Sequence, residues 1–465
     1  MSFALTSEQL AEWRRAFYDE PCNVLAQNVC TTHDPYKMCL KHASTELPAP
    51  APNKHAVPGE GKATSGGPAW ISTGLDLLRL EFAKSFKSLP ADFEFSAGYL
   101  MYWHKLERCN YLLHEAALLL MRCEPVDGRT FRYLMHHVAP DGGNWQMFVN
   151  LVQKYGVMPK QCYQTTGKVH HLNVMLSSKL REFVSVLHNR FIFDGDGSAL
   201  PGLIAEMMPQ LYKVLNIVLG EPPQEFKWTY YDSKRSYQCL EHLTGASFYE
   251  ELLKGEPKLD EMLCLGHDPR LSAGYAHNYE VELSSNMVGG RLQRYNNQPM
   301  DVLLPIVVAS LAGGRAVWLV HDLKTQTESE KLSEFPLLFG LEVGQGLTKA
   351  ERMLYKETKR NRVLLLTQVS LDAEQKPLEF RTMAPSSSAL SSNLSTVLAN
   401  LQGEDIKSRL LKPMTAFRIK TEALREYAFE IVVHSSFVPP DVLGAATRKE
   451  AKELPPWDIM GTFLD

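Results

Sequence analysis

The chain has 465 residues, 45% hydrophobic and 22% charged, with a formal net charge of -4. That length allows two or three domains around substantial cores, and the balance lacks the basic excess that draws a chain to nucleic acid or anionic lipid. No run of about 18 uninterrupted apolar residues is present, so no membrane span is expected. The eight cysteines show no CxxC spacing, which argues for reduced, intracellular, cytoplasmic thiols and against a zinc finger or disulfide framework.

The opening MSFALTSEQLAEWRRAF is charged too early for a signal peptide and reads as an amphipathic helix starting at Ser7, with Glu8 in its first turn. Residues 44–67 are rich in Pro, Ala, Gly and Ser and mark a linker or extended arm. Pro68 then opens a helix with Ile71, Leu75, Leu78 and Phe82 on one face. A second long helix is capped by Ser96, with Phe95 placed for a hydrophobic staple. A third follows Asn144 and stops at Gly156 and Pro159. Residues 165–260 read as mostly helical, with Met175, Leu176, Leu180, Phe183 and Leu187 at helical spacing. Beyond about residue 275 the runs 316–323, 362–371, 377–384 and 429–437 read as strands. A helical front and a β-rich back give an α+β architecture, and no internal repeat is visible.

Six blocks carry a more specific signal: LAQNVCTTHDPYKMCLKHA (25–43), FEFSAGYLMYWHKLERC (93–109), DGGNWQMFVNLVQKYGVMPK (141–160), SNMVGGR (285–291), YNNQPMDVL (295–303) and LPPWDIMG (454–461). In that order they resemble the bleomycin hydrolase branch of the papain-like cysteine peptidases. The resemblance implies a papain-like two-lobed fold, a helical lobe facing a β-barrel lobe, with an N-terminal hook (1–60), helical lobe (61–160), helical insert (161–265), β-barrel lobe (266–450) and C-terminal arm (451–465). It also implies homohexamers, and an arm that lies in the cleft and restricts the family to trimming peptides from the N-terminus.

A cysteine peptidase needs a thiolate at a helix N-terminus, a histidine base, an orienting Asn and an oxyanion donor. Against the family pattern, Ala69 stands in the nucleophile's place before Trp70, the segment from Gly61 to Gly67 holds no Gln, Arg362 stands in the histidine's place, and Ala384 in the Asn's. Arginine stays protonated and cannot serve as a base. The expectation that follows is a non-catalytic pseudopeptidase, not an enzyme, serving as a scaffold or binding subunit. The alternatives are a bleomycin-hydrolase-type aminopeptidase of residual or altered activity, and a peptide-binding module using the cleft.

The cleft is expected to use Trp70, Asp141, Gly142, Gly143 and the acidic terminus Asp465, with Gly142 and Gly143 either aligning a peptide backbone or forming the turn before the Asn144 helix. His136-His137 and His170-His171 lack a partner at i+4, so neither a metal nor a cofactor is expected. His321 reads as a core or cleft histidine. The basic stretch 349–362 reads as a solvated helix balanced by Glu351 and Glu357 rather than a nucleic-acid site, and the Ser-rich run 384–409 as a rebuilt surface. Expected partners are further copies of the chain or a larger protein assembly, and peptide.

Overall fold

The computed structural model describes residues 4–35, 38, 53–59, 63–64, 66–90, 92–165, 169–232, 234–253, 258–332, 336–341, 346–383 and 416–464. By contact the chain divides into two units, residues 1–50 with 323–358, and residues 51–322 with 359–465.

In the first unit, helix α1 (Ser7–Asp19) begins at the expected residue. The Thr6 hydroxyl accepts from the Gln9 N–H at 3.2 Å and the Gln9 side chain accepts from the Thr6 N–H at 3.0 Å, a capping box. Helix α2 (Pro21–Thr32) follows and packs on α1. The basic stretch contributes a short helix, Lys349–Leu354, and here the solvated-face expectation is corrected. Lys349 and Arg352 are buried, and Arg352 donates to the Leu347 carbonyl at 2.8 Å. Glu351 is engaged as a cap, accepting from the Thr348 N–H and hydroxyl at 2.8 and 2.7 Å.

The second unit is a ten-stranded sheet with helices around it. Its first strand, β1 (Asn53–Ala56), lies within the segment expected to be a linker and pairs antiparallel with β8 (Arg362–Leu371). Helix α3 (Ala69–Ser85) packs on β8 and on β7 (Val317–His321). Its expected face, Ile71, Leu75, Leu78 and Phe82, is wholly buried, but so are Leu77 and Leu80 on the other sides. A helix apolar all round is a central helix, and each such side chain contributes about 1.5–3 kcal/mol through burial. Gly74 allows the close approach of α6 (Trp145–Tyr155): a Cβ there would stand 2.5 Å from the Phe148 ring.

Helix α4 (Ala97–Met121) is capped by Ser96, whose oxygen accepts from the Tyr99 N–H at 3.1 Å and whose hydroxyl donates to the Tyr163 carbonyl at 2.6 Å. Phe95 is buried against Phe82, Phe93 and Phe248. The short helix α5 (Arg129–His136) precedes α6, which begins at the Asn144 cap and ends at Gly156. The C-terminal half of α4 packs with α7 (Val169–Asp194) and α8 (Leu200–Leu219), burying Leu112, Leu113, Leu120, Leu176, Leu180 and Leu211 in one cluster. Phe183 and Leu187 join it as expected, but Met175 is half exposed.

The expectation of helix through residue 260 is corrected at Phe226. Strands β2 (Phe226–Tyr231) and β3 (Tyr237–Leu243) form an antiparallel hairpin. Its aromatic residues pack rather than wind, with Trp228 against Phe93 and Phe248.

The large sheet runs in the order β10-β9-β8-β7-β11-β4-β6-β5-β12. Its remaining strands are β4 (Met262–Gly266), β5 (Asn278–Val281), β6 (Arg294–Asn297), β9 (Pro377–Thr382), β10 (Arg418–Lys420), β11 (Ala428–His434) and β12 (Lys452–Leu454). The four runs expected as strands became β7, β8, β9 and β11. The apolar run before β7 is instead a helix, α9 (Met300–Ala312). Among the described residues no helix is long and apolar enough to cross a membrane.

Candidate active site

The site is built where α3 begins. Pro68, extended at φ -60° and ψ 146°, caps the helix and its carbonyl accepts from the Ile71 and Ser72 N–H groups. Ala69 is the first helical residue and is half-buried. The Ala69 and Trp70 amides precede these bonds at the open end of the helix, which the helix dipole makes partially positive. The segment ahead of it is tied down by Asp76. That carboxylate accepts from the Thr64 N–H at 2.9 Å, from the Thr64 hydroxyl at 2.8 Å and from Arg79 at 3.3 Å. Burial outweighs these partners and pushes the Asp76 carboxyl up to about 6.

Trp70 does not line an open cleft, as the sequence suggested; it lies wholly buried beneath the floor. Its Nε1 donates to the Asp141 carbonyl at 2.8 Å, and its ring meets His104 edge-on at 5.0 Å. Gly143 lies directly over the indole, so that a Cβ would stand 2.5 Å from the ring. The glycine is therefore fixed by close approach, not by turn geometry.

Three buried basic residues on α4 hold this floor from below. Lys105 Nζ donates to the carbonyls of Ala139 and Pro140 at 3.0 Å each, and pairs with the Asp141 carboxylate at 2.7 Å. Arg108 donates to the Ser285 carbonyl at 2.5 Å and to the His137 carbonyl at 3.5 Å. Burial, with Lys105 and Arg108 adding to it, drives the His104 pKa well below its ordinary value. Burial also lowers Lys105, against the pull of Asp141. On the far side the Asn144 side chain donates to the Ser284 carbonyl at 2.8 Å. Asn150 donates to the Arg291 carbonyl at 3.1 Å and accepts from the Arg291 N–H at 3.0 Å. Three of the sequence blocks that carried the resemblance (93–109, 141–160 and 285–291) thus interlock around one floor.

The upper face of the floor is occupied by the end of the chain. Gly143 and Leu464 exchange both backbone hydrogen bonds, Gly143 N–H to the Leu464 carbonyl at 3.0 Å and Leu464 N–H to the Gly143 carbonyl at 2.9 Å. Phe463 lies under the Arg108 guanidinium at 5.2 Å and against the His137 ring. Farther back, Asp458 pairs with Arg270 at 2.9 Å and Trp457 stacks under Arg129 at 4.1 Å.

The structure thus brings Trp70, Asp141 and Gly143 together, with Leu464, the neighbour of Asp465, paired to Gly143. Asp465 and Ala384 lie outside the described residues, as does the Ser-rich run 384–409. Arg362 opens β8, half-buried, and its ladder partner is His321 on β7. His321 is wholly buried. Among the described residues no group of three or more His, Cys, Asp or Glu is arranged to hold a metal.

The sequence reading missed Lys105, Arg108, Arg360 and Glu430. Arg360 and Glu430 form an ion pair at 2.6 Å with both side chains about 1% exposed. An isolated acid inside the apolar strand FEIVVH was the available signal, because a buried carboxylate demands a partner.

A model of the Peptidase C1-like family matches residues 4–384. The chain is 36% identical to human bleomycin hydrolase over the whole length of both. It is 26% identical to aminopeptidase C of Streptococcus thermophilus, covering 86% of this chain and 85% of the relative. The crystal structure of pepw from Lactobacillus rhamnosis HN001 covers all of both chains at TM-score 0.81 and 24% identity, which speaks to fold alone. These findings correct the expectation of a non-catalytic scaffold and of a chain that is not an enzyme. Relatives that span the whole chain carry the names of peptidases, and the same names favour the aminopeptidase alternative.

Proposed function

The chain belongs to the Peptidase C1-like family, and from that premise we propose that it is a bleomycin-hydrolase-type aminopeptidase of residual or altered activity, working on short peptides whose N-termini abut the arm seated on Gly143. The observation that carries the reading is the pair of backbone hydrogen bonds between Gly143 and Leu464, because they seat the arm in extended form on the floor and leave a peptide to approach it by its N-terminal end. Relatives named aminopeptidase C support the N-terminal direction of attack. We further place the chain in a reducing, intracellular setting; the seven cysteines among the described residues are free. Self-association belongs to the same proposal and is read by native mass spectrometry.

With a methyl group at residue 69, no acyl–sulfur bond can form there, so the proposed chemistry rests on binding, orientation and the positive end of α3. In the best-studied triad hydrolase, such groups alone retain roughly 10³–10⁴-fold over water. Activity is therefore sought on activated substrates, aminoacyl esters and anilides with a free N-terminus. Wild type is expected to turn these over above a protein-free blank, and Gly143→Ala, which forces the floor off Trp70, to lose that turnover. Ala69→Cys places a thiol at a helix N-terminus, where its pKa falls, and should react with esters about ten- to a hundredfold faster. Wild-type turnover equal to the blank, or indifferent to Gly143→Ala in a folded protein, would sink the proposal.

A further inference from the structure

We propose that Arg360 is a positioning residue that locks the C-terminal arm in register on Gly143 by gripping the arm's backbone carbonyls. The inference rests on the cleft being a peptide site, but the lock itself is read without activity. Arg360 lies just before β8, and its guanidinium faces two ways. Nη1 donates to the arm carbonyls of Met460 and Thr462, the latter at 3.0 Å. Nη2 donates to the Glu430 carboxylate at 2.6 Å. The same Glu430 oxygen accepts from Gln293 Nε2 at 3.2 Å, so the counter-charge is itself held to the sheet.

The two bound carbonyls flank Gly461, which packs so close to Val281 that a Cβ there would stand 2.5 Å from its side chain. Only Phe463 lies between the clamped Thr462 and Leu464, which bridges to Gly143. No slack remains to absorb a slip, and a one-residue slip would turn every arm side chain to the opposite face. The clamp grips backbone oxygens, so it fixes register whatever the arm's side chains are. Two carbonyls on one guanidinium nitrogen and a carboxylate on the other suit the rigid fork; a lysine, a point charge on a flexible stem, holds them less firmly. With register fixed, Leu464 keeps both backbone hydrogen bonds of Gly143, and a peptide in the cleft must stop short of it.

The test uses the full chain carrying R360M and E430Q together, which removes both charges and leaves neither buried alone. Carboxypeptidase digestion followed by intact-mass measurement reads the arm. Wild type should resist, and the double variant should be trimmed roughly ten- to a hundredfold faster, the change in open population expected on losing charge-assisted hydrogen bonds. Binding of an N-acetylated decapeptide, which the seated arm excludes, should appear in the double variant and in a chain ending at Thr462. Trimming at the wild-type rate in a folded double variant overturns the lock, as does peptide binding gained by truncation but not by the double variant. If the double variant does not fold, R360K carries the same test, with trimming several-fold faster than wild type expected and an unchanged rate overturning the proposal. Faster trimming with no peptide bound or turned over by any variant upholds the lock and removes the peptidase reading instead.

Discussion

Asp76 sits on the central helix as a carboxylate that burial disfavours, yet it is the only anchor described for Thr64, ahead of the Ala69 turn. Its folded-state pKa of about 6 against an ordinary 3.8 gives a signed expectation. Below pH 4 the group is protonated whether the chain is folded or not. Between about pH 4 and 6 the folded state holds the proton more tightly, so stability falls as pH rises, and above 6 the loss is complete, at most ~3 kcal/mol. Asp76→Asn cannot titrate. The stability difference between wild type and this variant should therefore shift against wild type from pH 4.5 to 6.5 and stay level above it, as read by urea unfolding at each pH. Parallel profiles would dismiss the shifted carboxyl. Trp70, Asp141 and Gly143 were legible at this scale because their types and order match a known pattern. Lys105 and Arg360 were not. Arg360 was read as one more cation in the basic stretch 349–362, and nothing in sequence spacing says that Lys105 finds its partners on Ala139–Asp141 or Arg360 on the arm.

Element by element, the helices announced themselves where a cap met an apolar period. Pro68, Ser96 and Asn144 each open a helix whose buried face was visible in advance. The misses have physical causes. Strands β1, β10 and β12 have four residues or fewer, too few for alternation to show. Helix α9 carries Pro305 in its interior and an apolar surround, both of which hide a helical period. The hairpin at Phe226–Leu243 follows two long helices, and its aromatic content was outweighed by that context. Packing between α3 and α6 yields a direct expectation. Gly74→Ala improves helix propensity by about 1 kcal/mol, yet its methyl meets the Phe148 ring at 2.5 Å. Overpacking of this kind costs about 1–3 kcal/mol, so the net effect should be a loss of stability, measured by chemical denaturation. An unchanged or raised midpoint would show that α6 yields freely.

At the level of the whole molecule, the sheet is closed at one side by the last residues of the chain: β12 pairs parallel with β5, and the arm runs on to Gly143. Cutting the chain before Pro455 removes the Arg270–Asp458 pair, the Arg129–Trp457 stack and the arm's half of the Arg360 clamp together. It also uncovers Phe463's place on Arg108. The truncated chain should unfold at lower temperature, and by more than the sum of Asp458→Asn and Trp457→Ala, because Arg360 and Glu430 lose their cover as well. Additive losses would mean that the arm rests on the sheet without completing it. The α+β class, the cleft floor and the descending arm were all expected from order and resemblance. The pairing of strands distant in sequence, β4 with β6 and β11 with β7, was not, since non-local partners leave no periodic trace.

The late strand over Gly143 has a corollary for synthesis. Leu464 is made after Gly143 and after every sheet strand between them, so Gly143 has no strand across it while those strands are being synthesised.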